Sequence, residues 1–403
     1  MRTDSPPPAA PPLRAGVSLV AASLLVGLVL GTPALAGPWP SSSREPVRPL
    51  DHPTLEERCR ATGVDPDSGF RFVAFGDQRA LADGEWQTLM EHVAGAAAAD
   101  PGILFMVDTG DIVQNGSHTD QFRMLEEILS PATDLPYWVG VGNHEVRKNR
   151  NPKARAHTAL FLSGVDSTLS PERLYYAKRV GPVLFVFLDT NDLVYGPDGR
   201  SPADAPPPGS RVETQLAWLE SVLFPVEPDP RGEPAATVAV LHHPFLQSSE
   251  KHREEARRLW DYRYHGRTLA DILVEGGVDL VLTGHTHTYE RFRLRRQDGR
   301  DLVLVSLSGR PRSSGPWPFQ ASRRAQDLRG RESEAFREWG WRGLGLWTFT
   351  QEEAMIENEA NQFAIVSVEG DGTLRLEVAF LDPAAPEGLR RTAPVLLFRP
   401  QPR

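Results

Sequence analysis

The chain has 403 residues and a formal charge of -9, from 44 Lys+Arg against 53 Asp+Glu, and it is 40% hydrophobic with a single cysteine. That length can bury one large core or two ordinary ones, and the composition excludes a collagen, a coiled coil and a multispan membrane protein. The acidic surplus argues against a coat for nucleic acid, and the lone Cys59 excludes an intramolecular disulfide and a cysteine-built zinc site.

Arg14 precedes an uncharged run, Ala15 to Leu30, that closes in Gly31-Thr32-Pro33-Ala34-Leu35-Ala36. A positive residue, an apolar stretch and a small-x-small ending predict a secretory signal over residues 1–36, cleaved after Ala36. An uncleaved anchor is the alternative, because Ala15 to Ala36 is long enough to cross a bilayer. After cleavage no stable membrane span is expected. An exported chain this poor in cysteine fits a bacterial periplasm or the cell exterior.

Residues 37–69 are polar and Pro-rich without a clear period and read as a surface segment. From Phe70 apolar runs alternate with helical patterns. Phe70 to Phe75, Ile103 to Val107 and Tyr137 to Val141 read as strands, with helices over Gly84 to Ala99, Asp120 to Leu129 and Lys153 to Leu162. The second half repeats the scheme. Strands are expected at Val183 to Leu188, Thr237 to Leu241 and Val278 to Leu282, with helices at Glu213 to Leu223 and Thr268 to Val274. Beyond Tyr289 the pattern changes to hairpins, at Leu302 to Leu307, Phe363 to Val368 and Thr373 to Phe380. Strand–helix units of this kind predict largely parallel sheets. A single catalytic domain over 70–398 accounts for them.

Five apolar strands deliver polar residues at their ends: Gly76-Asp77, Gly110-Asp111, Gly142-Asn143-His144-Glu145, His242-His243-Pro244 and Gly284-His285-Thr286-His287. Ligands of open α/β sheets bind at the carboxyl ends of strands. These oxygen and nitrogen donors suit hard and borderline divalent metals. Each motif alone is weak, since Gly-Asp after a strand is usually a turn. In this order, with five of eleven histidines inside the motifs, packing is a poor explanation.

The series resembles the calcineurin-like metallophosphoesterase superfamily over nearly all of residues 70–295. The block Gly284 to Arg291 resembles purple acid phosphatases in particular. The resemblance implies a four-layer α/β/β/α sandwich with two mixed sheets. It also implies two divalent or mixed-valence metal ions (Mn, Zn or Fe). Asp77, Asp111 and His287 would hold the first, with Asp111 bridging, and Asn143, His242 and His285 would complete the second. His144 would lie beside the substrate, and His243 would stand behind the ligands. A metal-activated hydroxide would attack phosphorus in line. The small phosphorylated substrate would be a monoester; a phosphodiesterase or nucleotidase of the same fold, and a catalytically impaired binding protein, are the alternatives.

Two positions depart from that pattern. Most of the superfamily has Asp-x-His at the first motif, where this chain has Asp77-Gln78-Arg79, and arginine has no lone pair for a metal. Purple acid phosphatases place a Tyr three residues after the bridging Asp, where this chain has Gln114. Amide oxygens of Gln78 or Gln114 are candidate replacements. Arg79 is a candidate clamp for a phosphate oxygen, with pairing to a nearby carboxylate as the alternative. Asp189-Thr190 reads as a structural turn. Residues 310–362 read as a lid or rim, for 310–347 hold eight arginines with Trp317, Trp339, Trp341 and Trp347, and ordinary burial of these tryptophans against the sheet is the alternative.

Overall fold

The computed structural model describes residues 45–80, 84–199, 205–247, 252–309, 347–355, 361–385 and 387–400, all within one folding unit, Ser42–Arg403. The signal segment over 1–36 lies outside the described residues, as do Trp317, Trp339 and Trp341. Among the described residues, no helix is long and apolar enough to cross a membrane.

The strands are β1 (Gly69–Phe75), β2 (Ile103–Asp108), β3 (Tyr137–Val139), β4 (Tyr176–Val180), β5 (Val183–Phe187), β6 (Ala236–Val240), β7 (Leu280–Thr283), β8 (Tyr289–Arg296), β9 (Asp301–Leu307), β10 (Trp347–Met355), β11 (Gln362–Glu369), β12 (Leu374–Leu381), β13 (Leu389–Arg391) and β14 (Val395–Phe398). The α-helices are α1 (Leu55–Thr62), α2 (Glu85–Ala99), α3 (Thr119–Leu129), α4 (Pro152–Leu162), α5 (Asn191–Tyr195), α6 (Arg211–Leu223), α7 (Arg253–Asp261) and α8 (Leu269–Glu275).

Two seven-stranded sheets result. The first runs β13-β12-β11-β1-β2-β3, with β14 on β12, and the second β10-β8-β9-β7-β6-β5-β4. Each has a parallel set: β1-β2-β3 ends the first sheet at β3 and meets antiparallel β11 on its other side, while β5-β6-β7-β9 in the second is flanked by antiparallel β4 and β8. Alternation along the strands decides what faces what. In β5 to β7, Phe185, Phe187, Val238, Val240, Leu280 and Leu282 face a core shared with the first sheet. Their neighbours Val186, Ala239 and Val281 pack instead with Leu193, Leu216, Leu259 and Leu273 of helices α5 to α8. On the other side, Leu89, Met90 and Val93 of α2 and Leu125 of α3 join the core of the first sheet. The layers are therefore helix, sheet, sheet, helix. Aromatic rings lock the two sheets together, with Phe72 at 5.2 Å and Phe105 at 5.4 Å both edge-on to Phe185.

Residues 37–69 are not wholly irregular. Thr54 and Glu57 form a reciprocal capping box that starts α1, and Val47 and Leu50 are buried. At the other end of the chain, Trp347 belongs to a strand rather than to a lid. It is buried at the start of β10, which pairs with β8, and its indole N–H donates to Asp271 Oδ1 at 2.9 Å.

Candidate metal centre

The ends of β1, β2, β3, β6 and β7 converge, and those of β1, β2 and β7 turn through backbone that L-residues seldom adopt. Asp77 (φ 65°), Arg79 (φ 55°), Asp111 (φ 59°), His285 (φ 72°) and His287 (φ 58°) are all left-handed. Such strain persists only where surrounding structure enforces it, and it concentrates at functional sites. Gly142 permits a close approach at the site: a Cβ there would lie 2.3 Å from both the amide nitrogen and Oδ1 of Asp111. Glu145, fully buried, accepts from the backbone amides of Asp111 (2.8 Å), Val113 (3.0 Å) and Gly142 (2.7 Å), so one carboxylate ties the β2 loop to the β3 loop.

Four donor atoms meet on one side of Asp111. Nε2 of His242 lies 3.2 Å from Asn143 Oδ1, 3.2 Å from His285 Nδ1 and 3.3 Å from Asp111 Oδ1. The tautomers follow from the outer hydrogen bonds. His242 Nδ1 donates to the Thr109 carbonyl at 3.0 Å, which leaves Nε2 a lone pair. His285 Nε2 donates to Glu255 Oε2 at 2.9 Å, which leaves Nδ1 a lone pair. Burial, reinforced by His252, lowers the His285 pKa well below the ordinary imidazole range. Two imidazole nitrogens, an amide oxygen and a carboxylate thus aim lone pairs at a common point, with no hydrogen between them. That donor set fits a divalent cation. Despite its burial, the Asp111 carboxyl is held well below the usual carboxylate range, with the Arg79 guanidinium 3.2 Å from Oδ2.

On the other side of Asp111 lie Asp77 and His287. Asp77 Oδ2 accepts the His285 amide at 2.8 Å and the Ser308 hydroxyl, while Oδ1 is buried and without a hydrogen-bond partner. His287 donates from Nδ1 to the Gly309 carbonyl at 3.0 Å, and its Nε2 stands 4.0 Å from Asp77 Oδ1. Arg79 reaches into this space, 3.2 Å from Asp111 Oδ2 and 2.9 Å from His287 Nε2.

The remaining sequence candidates separate. His144 donates from Nδ1 to the Gln114 carbonyl at 2.7 Å and turns Nε2 toward Asp111 Oδ2, 3.8 Å away. Burial lowers its pKa to about 4. Gln78 gives its amide nitrogen to the Asp108 carboxylate and the Tyr137 hydroxyl, and so ties the end of β1 to β2 and β3. The Gln114 amide oxygen is buried without a hydrogen-bond partner. His243 bonds Thr190 Oγ1 at 2.7 Å and Tyr195 at 3.3 Å, behind His285. Asp189 pairs with buried Arg155 at 2.7 Å, as a structural turn would.

Sequence reasoning missed Glu255 and His252. Glu255, on α7, bonds His285, His252, Tyr195 and Lys148, and His252 and His285 hold its carboxyl far below the usual range against the cost of burial. Neither residue sits at a strand end, and no local motif marks them.

The family model for calcineurin-like phosphoesterases matches residues 70–289, more than half of the chain. The chain belongs to that family. It is 28% identical over 245 residues to a probable purple acid phosphatase of Arabidopsis thaliana, covering 59% of this chain and 50% of that protein. It is 30% identical over 179 residues to human acid phosphatase type 7, covering 43% and 36%. The chain thus spans half or less of the length of these relatives. Among solved structures it is similar to a purple acid phosphatase from yellow lupin seeds, at a TM-score of 0.47 and 18% identity, covering 78% of this chain and 52% of that one.

Proposed function

We propose that this calcineurin-like phosphoesterase hydrolyses small phosphoric monoesters, as an exported enzyme, at the centre framed by Asp111, Asn143, His242 and His285. The convergence of four lone pairs beside a permanently ionised Asp111 carries the reading. A metal held there supplies Lewis acidity at a phosphoryl oxygen and makes a nucleophilic water available at neutral pH. Mn, Zn and Fe all accept such a donor set.

The protein's own groups define the rest. Asn143 and His144 line a cavity of about 490 Å³ whose wall also carries Arg147, Lys148 and Arg150. A basic wall favours a dianionic monoester over a monoanionic diester. His144 is neutral in the free protein at neutral pH. A dianionic phosphate beside it raises its affinity for a proton, so Nε2 becomes the donor to the leaving oxygen while the Gln114 carbonyl holds the ring. The signal-like residues 1–36 support export.

The test compares p-nitrophenyl phosphate with bis-p-nitrophenyl phosphate on the full chain, stripped of metal and resupplied with Mn, Zn or Fe. Faster turnover of the monoester is expected. A preference for the diester would contradict the monoesterase reading, and inactivity with every metal would contradict the hydrolase.

A further inference from the structure

We infer that the guanidinium of Arg79 is the resident cation of the position framed by Asp77, Asp111 and His287, so that the centre binds one metal ion, at Asp111, Asn143, His242 and His285. The inference rests on the hydrolase reading above and replaces the first of the two metals that the family resemblance implies.

His287 has committed its Nδ1 proton to the Gly309 carbonyl, so Nε2 offers a lone pair. That lone pair is the only metal-binding atom His287 has, and an Arg79 nitrogen lies 2.9 Å from it. Arginine cannot lose its charge and has no lone pair, so it can only donate. The same nitrogen lies 3.2 Å from Asp111 Oδ2. A metal takes an imidazole nitrogen at about 2.1 Å. An ion on the His287 lone pair would stand within the contact radius of the guanidinium nitrogen, and two cations would be forced together. Arg79 and a metal therefore compete for this position.

Backbone geometry favours Arg79 in that competition. Its N–H donates to the Asp111 carbonyl at 2.8 Å and its φ of 55° turns the side chain off the end of β1. The side chain is 12% exposed, so it does not lie out in solvent. Its Nε–H is buried without an acceptor, which leaves one donor of the fork for a substrate oxygen. Arginine keeps a positive charge beside Asp111 at every accessible pH, as a first metal would, but brings one charge where that metal brings two.

Metal content decides the matter. The full chain is stripped, titrated with Mn(II) or Zn(II) in a calorimeter, and analysed for metal per chain. About one equivalent is expected for the wild type and about two for Arg79→His, which restores an imidazole at that position. His287→Ala is expected to keep about one, because His287 holds no metal; this variant serves if Arg79→His does not fold. Two equivalents in the wild type, or metal lost from His287→Ala, would overturn the inference and leave the hydrolase reading standing. A single equivalent in a folded Arg79→His would also overturn it, since Arg79 would not be what excludes the second ion. No metal and no turnover in the wild type would overturn the hydrolase reading, and the inference with it.

Discussion

Glu255 does for His285 what the Thr109 carbonyl does for His242: it accepts the hydrogen bond of one ring N–H, fixing the proton there, and so leaves the other nitrogen a lone pair. Residues that orient a ligand in this way typically change metal affinity by about 10- to 100-fold. Glu255→Ala should weaken metal binding by that order in a competition titration against a chelator, with thermal unfolding of the metal-free protein little changed; unchanged affinity would show that the tautomer is fixed by other means. Gly142 acts by being absent. A methyl group there would lie against Asp111 and 2.7 Å from the Glu145 carboxylate. Gly142→Ala should therefore cost both metal binding and turnover, and an active Gly142→Ala enzyme would mean that the loops after β2 and β3 yield easily. Most ligand candidates were legible because each follows an apolar strand in sequence. Glu255 was not, because its place beside His285 is made by the packing of α7, 30 residues upstream of the histidine it orients.

At the scale of elements, α1 is the clearest local case. Thr54 Oγ1 accepts the Glu57 amide, and the Glu57 carboxylate returns to the Thr54 amide at 2.7 Å. Removing such a cap costs about 1 kcal/mol. Thr54→Ala should lower unfolding stability by that order in denaturant titrations, and no loss would mean that α1 is held by its packing alone. The strands β2 and β5 were readable because their residues are apolar in nearly unbroken runs, as parallel strands covered on both faces require, and β1 and β6 because only Arg71 and Thr237 interrupt theirs. Helices α1 and α7 were not. The segment LEERCRAT buries only Arg58 fully, and REEARRLWD buries only Ala256, Leu259 and Trp260, so neither carries enough apolar pattern to stand out. Strand β4 lies at a sheet edge beside β5, and its three middle residues are all half-buried, which hides its period.

For the whole molecule, the two sheets meet over aromatic residues. Phe185 touches Phe72, Phe105 and Trp138, and Phe185→Ala should cost about 3–5 kcal/mol of stability. A second global effect comes from Asp108, fully buried at the end of β2, whose carboxyl burial pushes up to about 7. An unfolded aspartate titrates near pH 4, so folding takes up a proton between about pH 4 and 7. This contribution to stability is complete below about pH 4 and is lost as pH rises through about 7. The difference in unfolding free energy between wild type and Asp108→Asn should accordingly fall across that window and level off above it; a constant difference from pH 4 to 8 would contradict the burial argument. The central claim is that hydrolysis depends on a cation held by Asp111, Asn143, His242 and His285. The most direct measurement is kcat/KM for p-nitrophenyl phosphate in the wild type and in His242→Ala, before chelation, after it, and after metal is returned. The wild type should lose its activity to the chelator and regain it with metal, while His242→Ala should stay at least about 10²-fold lower throughout. Chelator-resistant hydrolysis, or a His242→Ala enzyme as fast as the wild type, would contradict the account.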